Sequence, residues 1–559
     1  TTSFIKIMLL KKLIKNLPQN IRNIKVKGIS LDSRKVKKGD LFFAIKGKEF
    51  NGNLFVNEAI SKGAAAVVCS KSLKKESAKK ALIIVKDPKT LLASTCAIFF
   101  KKKPKNIFAV TGTNGKSSVA DFFHQILNSN KIPVATIGTL GIKKNKAIKK
   151  LNLTSPDIVT MHKELYNLKK NGIDHVILEA SSHGLAQGRL NKIDFKAGIF
   201  TNFSQDHLDY HKSMTAYLSA KMTLFKKILK TKKIIICDSS TKEFSILKKI
   251  SSNRNLKLID VSLIKKKLKF APGPILNKFQ SQNLSMAIAA AKVSGLQEKK
   301  IFKSLKKIKP TDGRLELIKT FRNNINVIVD FAHTPDALFQ ALNATKNHYG
   351  ENISLVFGCG GDRDFKKRSL MAKVANSICK KIYITDDNPR NERPEKIRNE
   401  IAKHIKNDKF LNIGDRVKAI KTAISNAGPN ETILISGKGH ETQQIYKNKI
   451  LSISDKEIVK KIKLRNNLSI KKLNLIENNK ILQNIVKNFS LRNFNGISID
   501  SRTVKKDNLF LTIKGKNNDG TKFISKALDN GAKYIVSSKN NKKYKKKLIK
   551  VTSEINFLN

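Results

Sequence analysis

The stretch IFAVTGTNGKSSVADFFHQIL, residues 107–127, joins a short apolar run to a helical pattern through a turn that contains two glycines. The run Ile107 to Val110 predicts a buried strand, and the apolar spacing from Val119 to Leu127 predicts a helix. Backbone amides of residues 112–116 can surround phosphate groups at the start of that helix, and the Lys116 ammonium can neutralise them. We therefore predict a nucleotide-binding loop, although the first glycine of a complete Walker A motif is missing.

Strand-like and helix-like patterns continue to alternate toward the C-terminus. From residue 107 to about 310, and again from 311 to about 465, short apolar runs alternate with helical patterns, which is typical of parallel α/β sheets. Four of the runs end in polar sequence: IFAVTGTNGKSS, HVILEASSHG, LVFGCGGDRD and IYITDDNPR. Since ligands bind beyond the carboxyl ends of parallel strands, we expect functional residues in these four segments.

A repeated sequence begins and ends the chain. GISLDSRKVKKGDLFFAIKGKEFNGNLF at residues 28–55 returns as GISIDSRTVKKDNLFLTIKGKNNDGTKF at residues 496–523. In each copy the pattern predicts short strands, a turn, and a helix that ends at Gly63 or Gly531. We therefore predict an α/β protein of four domains, with boundaries at 1–103, 104–310, 311–465 and 466–559, the last repeating the first.

The chain is strongly basic. It has 111 Lys and Arg residues against 42 Asp and Glu, a formal net charge of +69. Clustered basic residues can bind nucleic acid, but here the lysines are spread over every segment, few aromatic residues lie among them, and no common nucleic-acid motif is present. We favour a solvated lysine-rich surface that attracts anionic substrates, and expect no nucleic-acid partner.

Several features favour a cytoplasmic protein. The five cysteines form no CxxC pair, so neither a disulfide framework nor a cysteine metal site is predicted. The longest apolar runs, such as Leu91 to Phe100, are too short to span a membrane, and no signal-peptide pattern opens the chain. MLLKKLIKNL, from Met8, predicts a helix packed on a core rather than on a membrane surface, and we expect the residues before it to be dispensable.

Polar residues after the predicted strands are candidates for chemistry. Ser117 can ligate Mg²⁺ beside the nucleotide phosphates. Glu179 ends the strand HVILE, where it is either a further Mg²⁺ ligand or an exposed strand-end acid. Downstream, TNFSQDHLDYHKSMTAYLSAK contains His207, His211 and Lys221, which gain interest from the phosphate loop nearby.

From Gly28 to about Tyr446 the sequence resembles the Mur ligase family, the ATP-dependent amide-forming enzymes of bacterial cell-wall synthesis. The motifs that carry the resemblance are TGTNGKSS, EASSHGL, TNFSQDHLDYH, FxxxN at 279–283, DGRLE at 312–316, DFAHTPD at 330–336, GCGGDRD, DDNPR and GKGHE. The resemblance implies a small α/β domain for a uridine nucleotide, a central P-loop domain with a parallel sheet, and a C-terminal Rossmann-like domain. The repeat at 466–559 resembles the N-terminal domain of MurF, another ligase of the pathway.

Within the family, the chain resembles the ligases that add meso-diaminopimelate to UDP-N-acetylmuramoyl-L-alanyl-D-glutamate through an acyl phosphate. That implies ATP and Mg²⁺ as cofactors, small-molecule substrates, and other Mur enzymes as partners. Three alternatives stay open: the same ligase adding L-lysine, a folate polyglutamate ligase, and a binding protein for UDP-sugar peptides without turnover.

The resemblance also implies roles for individual residues. Those implied for ATP are Thr111, Gly112, Thr113, Asn114, Gly115, Lys116, Ser117, Ser118, Asn283, Arg314, Asp330 and His333. Those implied for the UDP-muramyl peptide are Leu31, Ser33, Thr154, Ser155, Ser181, Gln187 and Arg189. Those implied for the metal are Ser117, Glu179 and His207. The residues implied for catalysis are Lys116, Glu179, His207 and a carbamylated Lys221.

The DDNPR motif is implied to select the added amino acid. With Arg363, Pro389, Gly437 and Glu441 around it, Arg390 would pair with the distal carboxylate of diaminopimelate, and Asp387 and Asn388 would take the ammonium. L-Lysine has no distal carboxylate, so binding it would leave a buried guanidinium without its partner. The alternative reading of DDNPR alone is a turn capped by its Asp and Asn side chains.

Overall fold

The structure is a computed structural model that describes residues 7–47, 51–70, 81–145, 147–151, 153–265, 268, 278–462, 496–514, 519–551 and 553–558. The chain divides into two compact units, Thr1–Ile462 and Lys463–Asn559. The first unit contains three α/β sheets in sequence, and the second contains one.

The N-terminal sheet has four parallel strands. In spatial order they are Gly28–Ser30, Asp40–Phe43, Ala66–Cys69 and Ala81–Ile84. The helices are Leu10–Leu13, Val56–Ser61 and Pro88–Phe99, with a strand pair Met8–Leu9 and Lys25–Val26. Leu10, Leu13, Ile14 and Leu17 are buried in one core with Phe99, which confirms that MLLKKLIKNL packs on a core, but only four of its residues are helical.

The central sheet has eight strands and is parallel except at one edge. Its spatial order is Ala147–Lys149, Gly141–Lys144, Val134–Gly138, His175–Glu179, Asn106–Thr111, Ala197–Phe200, Ile234–Cys237 and Lys257–Asp260. The first two of these are antiparallel to their neighbours. Its helices are Lys116–Ser129, Ile158–Lys170, Ser182–Ala186, Leu208–His211, Met214–Thr223, Phe244–Asn253, Ser262–Lys265, Lys278–Val293 and Glu298–Leu305.

The predicted strand and helix around the phosphate loop are confirmed with wider bounds. The strand is Asn106–Thr111 and the helix is Lys116–Ser129. Its neighbour His175–Glu179 runs parallel to it, with Glu179 opposite Val110. The loop and the Glu179 carboxylate therefore meet at the same edge of the sheet.

The C-terminal sheet of the first unit has six strands, of which only the first is antiparallel. The spatial order is Glu316–Phe321, Ile325–Asp330, Thr432–Ser436, Ile353–Phe357, Lys381–Ile384 and Phe410–Asn412. The helices are Pro335–Tyr349, Lys366–Ile378, Pro394–Ala402, Arg416–Ser425 and Asp455–Lys461, and a hairpin is formed by Gln443–Ile445 and Ile450–Ser452.

The second unit repeats the fold of the N-terminal sheet. Its parallel strands are Gly496–Ser498, Asn508–Leu511, Ala532–Ser537 and Leu548–Lys550, with helices Ile524–Asp529 and Glu554–Leu558. The sequence repeat is therefore also a structural repeat.

Two general features complete the description. All five cysteines are buried with free thiols. In the parts of the chain that the structure describes, no helix is both long and apolar enough to cross a membrane.

Candidate active site

The phosphate loop is hydrogen-bonded to the segment that follows the neighbouring strand of the sheet, Ala197–Phe200. The amide of Asn114 donates to the Asn202 side-chain oxygen at 2.9 Å, and the amide of Thr113 donates to the Asn202 carbonyl at 2.9 Å. The Lys116 ammonium donates to the carbonyls of Gly112 and Thr113, at 2.9 and 2.7 Å. Gly115, with φ 86, precedes the helix; a Cβ there would lie 2.4 Å from the Asn283 side-chain oxygen.

Glu179 is held as an acceptor directly beside this loop. Its carboxylate accepts from the Ser117 hydroxyl at 2.9 Å, from the Thr139 amide at 3.0 Å and from the Thr139 hydroxyl at 2.9 Å. The residue is only 2 % exposed, so it is not an exposed strand-end acid. A buried carboxylate beside a hydroxyl is an oxygen donor set of the kind that Mg²⁺ prefers.

A second group of titratable residues faces the same space. The Asp206 carboxylate lies 3.3 Å from His207 Nε2 and 3.7 Å from His333 Nε2. Burial would raise the pKa of Asp206, but the hydrogen bond from His333 and the nearby imidazoles hold that pKa well below its usual value. Burial lowers the pKa of His207 to about 3, so its imidazole is neutral at physiological pH, the form that binds metals.

Lys221 is buried to 1 % exposure on the helix Met214–Thr223. Its ammonium donates to the Gly112 carbonyl at 2.6 Å and lies 4.4 Å from the centre of the Tyr217 ring. Burial, together with the charge of Lys116, lowers the pKa of Lys221 well below its usual value. A lysine in this environment is available as a neutral amine.

Arg314 of the C-terminal domain reaches the phosphate loop. The Arg314 guanidinium lies 3.3 Å from the Ser117 hydroxyl and stacks on the Phe331 ring at 4.2 Å. The Asp330 carboxylate accepts from the amides of Leu315 and Ala332, both at 2.7 Å, so it fixes the backbone beside Arg314.

The cavity between these domains is lined by many of the residues expected at the site. Its lining includes Thr113, Asn114, Gly115, Lys116, Ser117, Ser118, Thr154, Glu179, Ser181, His207, Lys221, Arg314, Asp330 and His333. Asn283 instead packs behind Gly115 and donates to Gln280 at 3.2 Å, while Gln280 itself lines the cavity.

Four of the residues expected to hold the muramyl peptide form a hydrogen-bonded network, and one of them, Ser181, also lines the cavity. Ser155 donates to the Glu179 carbonyl at 2.8 Å and lies 3.0 Å from the Ser181 hydroxyl. The Arg189 guanidinium donates to the Ser155 carbonyl at 2.6 Å and to the Gln187 side-chain oxygen at 2.9 Å. The network connects the strand end at Glu179 with the helix Ser182–Ala186.

The residues expected to touch the uridine nucleotide lie in the N-terminal sheet. Leu31 is half-buried against its core, and Ser33 donates to Glu58 at 2.5 Å. Next to Ser33, the Asp32 carboxylate accepts from the Arg34 amide and guanidinium, at 3.1 and 2.9 Å.

The second copy reproduces this turn with one difference. Asp500 accepts from the Arg502 amide at 2.9 Å and from its guanidinium at 3.0 Å. Lys526 stands where the first copy has Glu58, the acceptor of the Ser33 hydroxyl. The Asp–Arg pair therefore stabilises the turn in each copy, whereas the acid beside the serine is present only in the first.

The DDNPR motif lies at the carboxyl end of the strand Lys381–Ile384, as the sequence predicts. Arg390 has a left-handed backbone with φ 55, and its guanidinium donates to the Gly361 carbonyl at 2.7 Å. Gly361 packs directly beneath the motif, because a Cβ there would lie 1.9 Å from the Pro389 carbonyl. The loop that contains Gly361 and the DDNPR loop therefore pack directly against each other.

The two residues expected to bind the ammonium group of the added amino acid differ in their surroundings. The Asn388 side-chain oxygen accepts from the Ile445 amide at 3.0 Å and from Lys438 at 3.1 Å, and its amide donates to Glu441 at 3.2 Å. Among the described residues no hydrogen bond reaches the Asp387 carboxylate, which faces Gly437; a Cβ on Gly437 would lie 2.7 Å from it. Asn388 is therefore engaged by the protein, whereas the Asp387 carboxylate accepts no hydrogen bond from the described residues.

Arg363 lies at the junction of the two domains. Its guanidinium is 3.8 Å from the Asp209 carboxylate, which belongs to the central domain, and the side chain is about half exposed. This contact connects the loop after the strand Ile353–Phe357 with the central domain.

Sequence reasoning missed several residues of the site. Asp206 directly precedes His207 in a motif that was singled out, so its position was a usable signal. Thr139 follows a strand end but carries no motif, and the hairpin Gln443–Ile445 and Ile450–Ser452, which contacts DDNPR, has no chemical signature. Among the described residues no three His, Cys, Asp or Glu side chains form a metal site.

Comparison with family models identifies each part of the chain. The model described as "Mur ligase middle domain" matches residues 110–302, and that described as "Mur ligase, glutamate ligase domain" matches residues 313–439. The model described as "Mur ligase family, catalytic domain" matches twice, at residues 25–100 and 493–556. The second match lies within the repeated sequence at the C-terminal side.

Individual relatives and solved structures are consistent with these family matches. A 2,6-diaminopimelate ligase for UDP-N-acetylmuramoyl-L-alanyl-D-glutamate from Rickettsia montanensis is 41 % identical over 473 residues, covering 80 % of this chain and 98 % of its own. A solved structure of a ligase with the same name is 28 % identical with a TM-score of 0.58, covering 81 % of this chain and 98 % of its own. The fold alone is shared with MurF from Thermotoga maritima in complex with ADP, at 16 % identity, a TM-score of 0.50, and 73 % and 93 % coverage.

Proposed function

Because the chain belongs to the Mur ligase family, we propose that it adds 2,6-diaminopimelate to UDP-N-acetylmuramoyl-L-alanyl-D-glutamate in an ATP-dependent reaction of peptidoglycan synthesis. The relative from Rickettsia montanensis carries this activity in its name, and 98 % of its length is covered. The observation that carries the proposal is the single cavity that the phosphate loop, Glu179, Lys221 and the C-terminal Arg314 line together.

The first step is transfer of a phosphoryl group. A carboxylate of the glutamyl residue attacks the γ-phosphorus of ATP, the bond to the β–γ bridging oxygen breaks, and an acyl phosphate and ADP result. Phosphoryl transfer depends on positioning and on cations more than on covalent help. Lys116 and Arg314 supply two cations at the loop, and the backbone amides of residues 112–116 receive the phosphates.

Ser117, Glu179 and His207 fit a magnesium ion. The two oxygen side chains are already in contact at 2.9 Å, and the imidazole is neutral because burial lowers its pKa to about 3. When bound there, the ion would offset the negative charge that accumulates on the phosphates. Adenine nucleotide binding is supported by the related MurF structure, which contains ADP.

The second step forms the amide. The amine of the incoming amino acid attacks the acyl carbon, a tetrahedral species forms, and phosphate leaves as the carbonyl is restored. The amine must arrive uncharged and correctly aimed, which positioning can supply. Asp387 and Arg390 are proposed to hold the distal ammonium and carboxylate of diaminopimelate, so that the reacting amine points toward the cavity.

Measuring products while each substrate is withheld tests the proposal. Phosphate release and the mass of the amide product are followed with ATP, UDP-N-acetylmuramoyl-L-alanyl-D-glutamate and meso-diaminopimelate, and then with one of them missing. We expect amide only with all three, and none with Lys116→Ala, which removes the phosphate-loop cation. Binding of the UDP-linked substrate without any amide product would instead support a binding protein.

A further inference from the structure

The DDNPR loop is attached along its whole length to the hairpin that follows GKGHE. The amide of Arg390 donates to the Ile445 carbonyl at 3.0 Å, and the Ile445 amide donates to the Asn388 side chain at 3.0 Å. The buried Gln444 side chain donates to the Asp386 carbonyl at 3.0 Å. These contacts involve the first, third and last residues of the DDNPR motif, so the hairpin is part of the pocket's support.

Tyr446 connects the two ends of this loop. Its backbone forms a parallel bridge with Arg390 at the end of the loop. Its hydroxyl donates to the Asp386 carboxylate at the beginning of the loop, at 2.9 Å. One residue therefore contacts the loop through its backbone at one end and through its side chain at the other.

Asp386 is fully engaged by the protein. Besides Tyr446, its carboxylate pairs with Arg398 on the helix Pro394–Ala402, and its amide donates to the Gly414 carbonyl at 3.2 Å. Its carbonyl also accepts from the buried Arg416, at 3.5 Å. Asp386 is about 8 % exposed, so it stabilises the loop.

Arg390 needs such support because of its backbone. Its φ of 55 lies in the left-handed region, which is unfavourable for a residue with a side chain and persists only where the surroundings hold it. The guanidinium direction depends on that backbone, and it is the guanidinium that donates to Gly361 at 2.7 Å. A loop free to relax at either end would move this side chain.

We propose that Tyr446 is a positioning residue for the amino-acid pocket: through its hydrogen bond to Asp386 and its backbone bridge to Arg390, it holds the Arg390 guanidinium where it meets the distal carboxylate of the incoming amino acid. This inference rests on the proposed ligase function. It assigns to Tyr446 a part in selecting diaminopimelate, without contact between Tyr446 and the substrate.

The test is Tyr446→Phe, which removes the hydroxyl and keeps the ring and the backbone bridge. We expect the KM for diaminopimelate to rise about 10-fold, as for loss of one hydrogen bond to a charged group, with kcat and the KM values for ATP and the UDP-linked substrate unchanged. The preference for diaminopimelate over L-lysine, as a ratio of kcat/KM, should fall by a similar factor. Tyr349→Phe is the matched control, because Tyr349 ends a helix away from this loop and its variant should leave every parameter unchanged.

Three results would contradict this inference. An unchanged KM for diaminopimelate in Tyr446→Phe would overturn the inference. So would an equal change in all three KM values together with a lower Tm, since that pattern means a purely structural role. If the wild-type enzyme itself makes no amide with diaminopimelate, the proposed function fails, and this inference fails with it.

Discussion

Lys221 lies in an environment that is unusual for a lysine. An ammonium group at 1 % exposure, beside a second lysine that it repels, is destabilised, and the pKa of Lys221 is lowered well below its usual value. The neutral amine is a nucleophile for carbon dioxide. A bond forms between Nζ and carbon, one proton leaves, and the product is a carbamate anion. The resulting anion would suit a cavity that also contains Lys116.

We predict that Lys221 carries a carbamate at physiological pH. Protein equilibrated with ¹³C-labelled bicarbonate should give one carbamate resonance in its ¹³C NMR spectrum, and Lys221→Met should lack it. Lys373→Met is the control, because that side chain is exposed on the helix Lys366–Ile378 and the variant should keep the resonance. A spectrum identical for wild type and Lys221→Met would refute the modification.

At the scale of elements, the pocket depends on two strand-end loops that pack closely against each other. The loop after Ile353–Phe357 carries Gly361, and the loop after Lys381–Ile384 carries Pro389. The approach is possible only without a side chain, because a Cβ on Gly361 would meet the Pro389 carbonyl at 1.9 Å. Backbone atoms cannot give way as a flexible side chain can.

Gly361→Ala should therefore displace the DDNPR loop. We expect the KM for diaminopimelate to rise by an order of magnitude or more, with the KM for ATP close to wild type, since the phosphate loop belongs to another sheet. Gly428→Ala is the control, because a Cβ there meets only a Glu431 oxygen at 3.7 Å. Steady-state kinetics measure both variants, and a wild-type KM in Gly361→Ala would contradict the packing described for these loops.

The sequence predicted those elements that have a strong periodic or motif signal. The strand and helix around TGTNGKSS and the strand before DDNPR are where the pattern placed them, because buried strands followed by glycine turns are locally encoded. The helix from Met8 was predicted too long, since its apolar spacing serves burial in the core and only Leu10–Leu13 are helical. Local periodicity reports which residues are buried more reliably than it reports their conformation.

The site was predictable only where chemistry is visible in the residue type. Lys116, Glu179 and His207 line one cavity as expected. Thr139 and Tyr446 were not predictable, because their roles arise from contacts with Glu179 and Asp386, which are 40 and 60 residues away in sequence. The difference between Asn388, which is hydrogen-bonded by the protein, and Asp387, whose carboxylate accepts no hydrogen bond from the described residues, also depends on such contacts.

At the scale of the whole molecule, buried neutral histidines link stability to pH. Burial lowers the pKa of His162 and His207 to about 3, and that of His124 and His440 to about 4. In the unfolded chain these groups take up protons near the ordinary histidine pKa of about 6.5, whereas in the folded chain they do not. Stability is therefore complete above that pKa and is lost as the pH falls below it.

We predict that Tm falls as the pH is lowered from about 7 to about 5, a range in which ordinary carboxylates stay ionised. His162→Phe should reduce this fall, since it removes one group that takes up a proton only on unfolding. The exposed His404 provides the control, and His404→Gln should keep the wild-type slope. Thermal melts at several pH values measure the slopes, and equal slopes in wild type and His162→Phe would refute the linkage.

The first unit of the molecule brings two kinds of chemistry into adjacent domains. The cavity combines the phosphate loop of the central domain with Arg314 and His333 of the C-terminal domain, and Arg363 contacts Asp209 at the junction of the two domains. A ligase needs this arrangement, because the activated acyl group and the attacking amine must meet. The second unit repeats the N-terminal domain only and contains neither set of residues among its described parts.

The most direct test of the proposed function is to measure which amino acid the enzyme adds. Phosphate release with ATP and UDP-N-acetylmuramoyl-L-alanyl-D-glutamate is compared for meso-diaminopimelate and L-lysine, in wild type, in Arg390→Ala and in the control Arg393→Ala, whose side chain is exposed. We predict that phosphate release is faster with diaminopimelate than with L-lysine by a factor on the order of 100 or more. This preference should be retained in Arg393→Ala and lost in Arg390→Ala. Equal or faster turnover with L-lysine in the wild-type enzyme would contradict it.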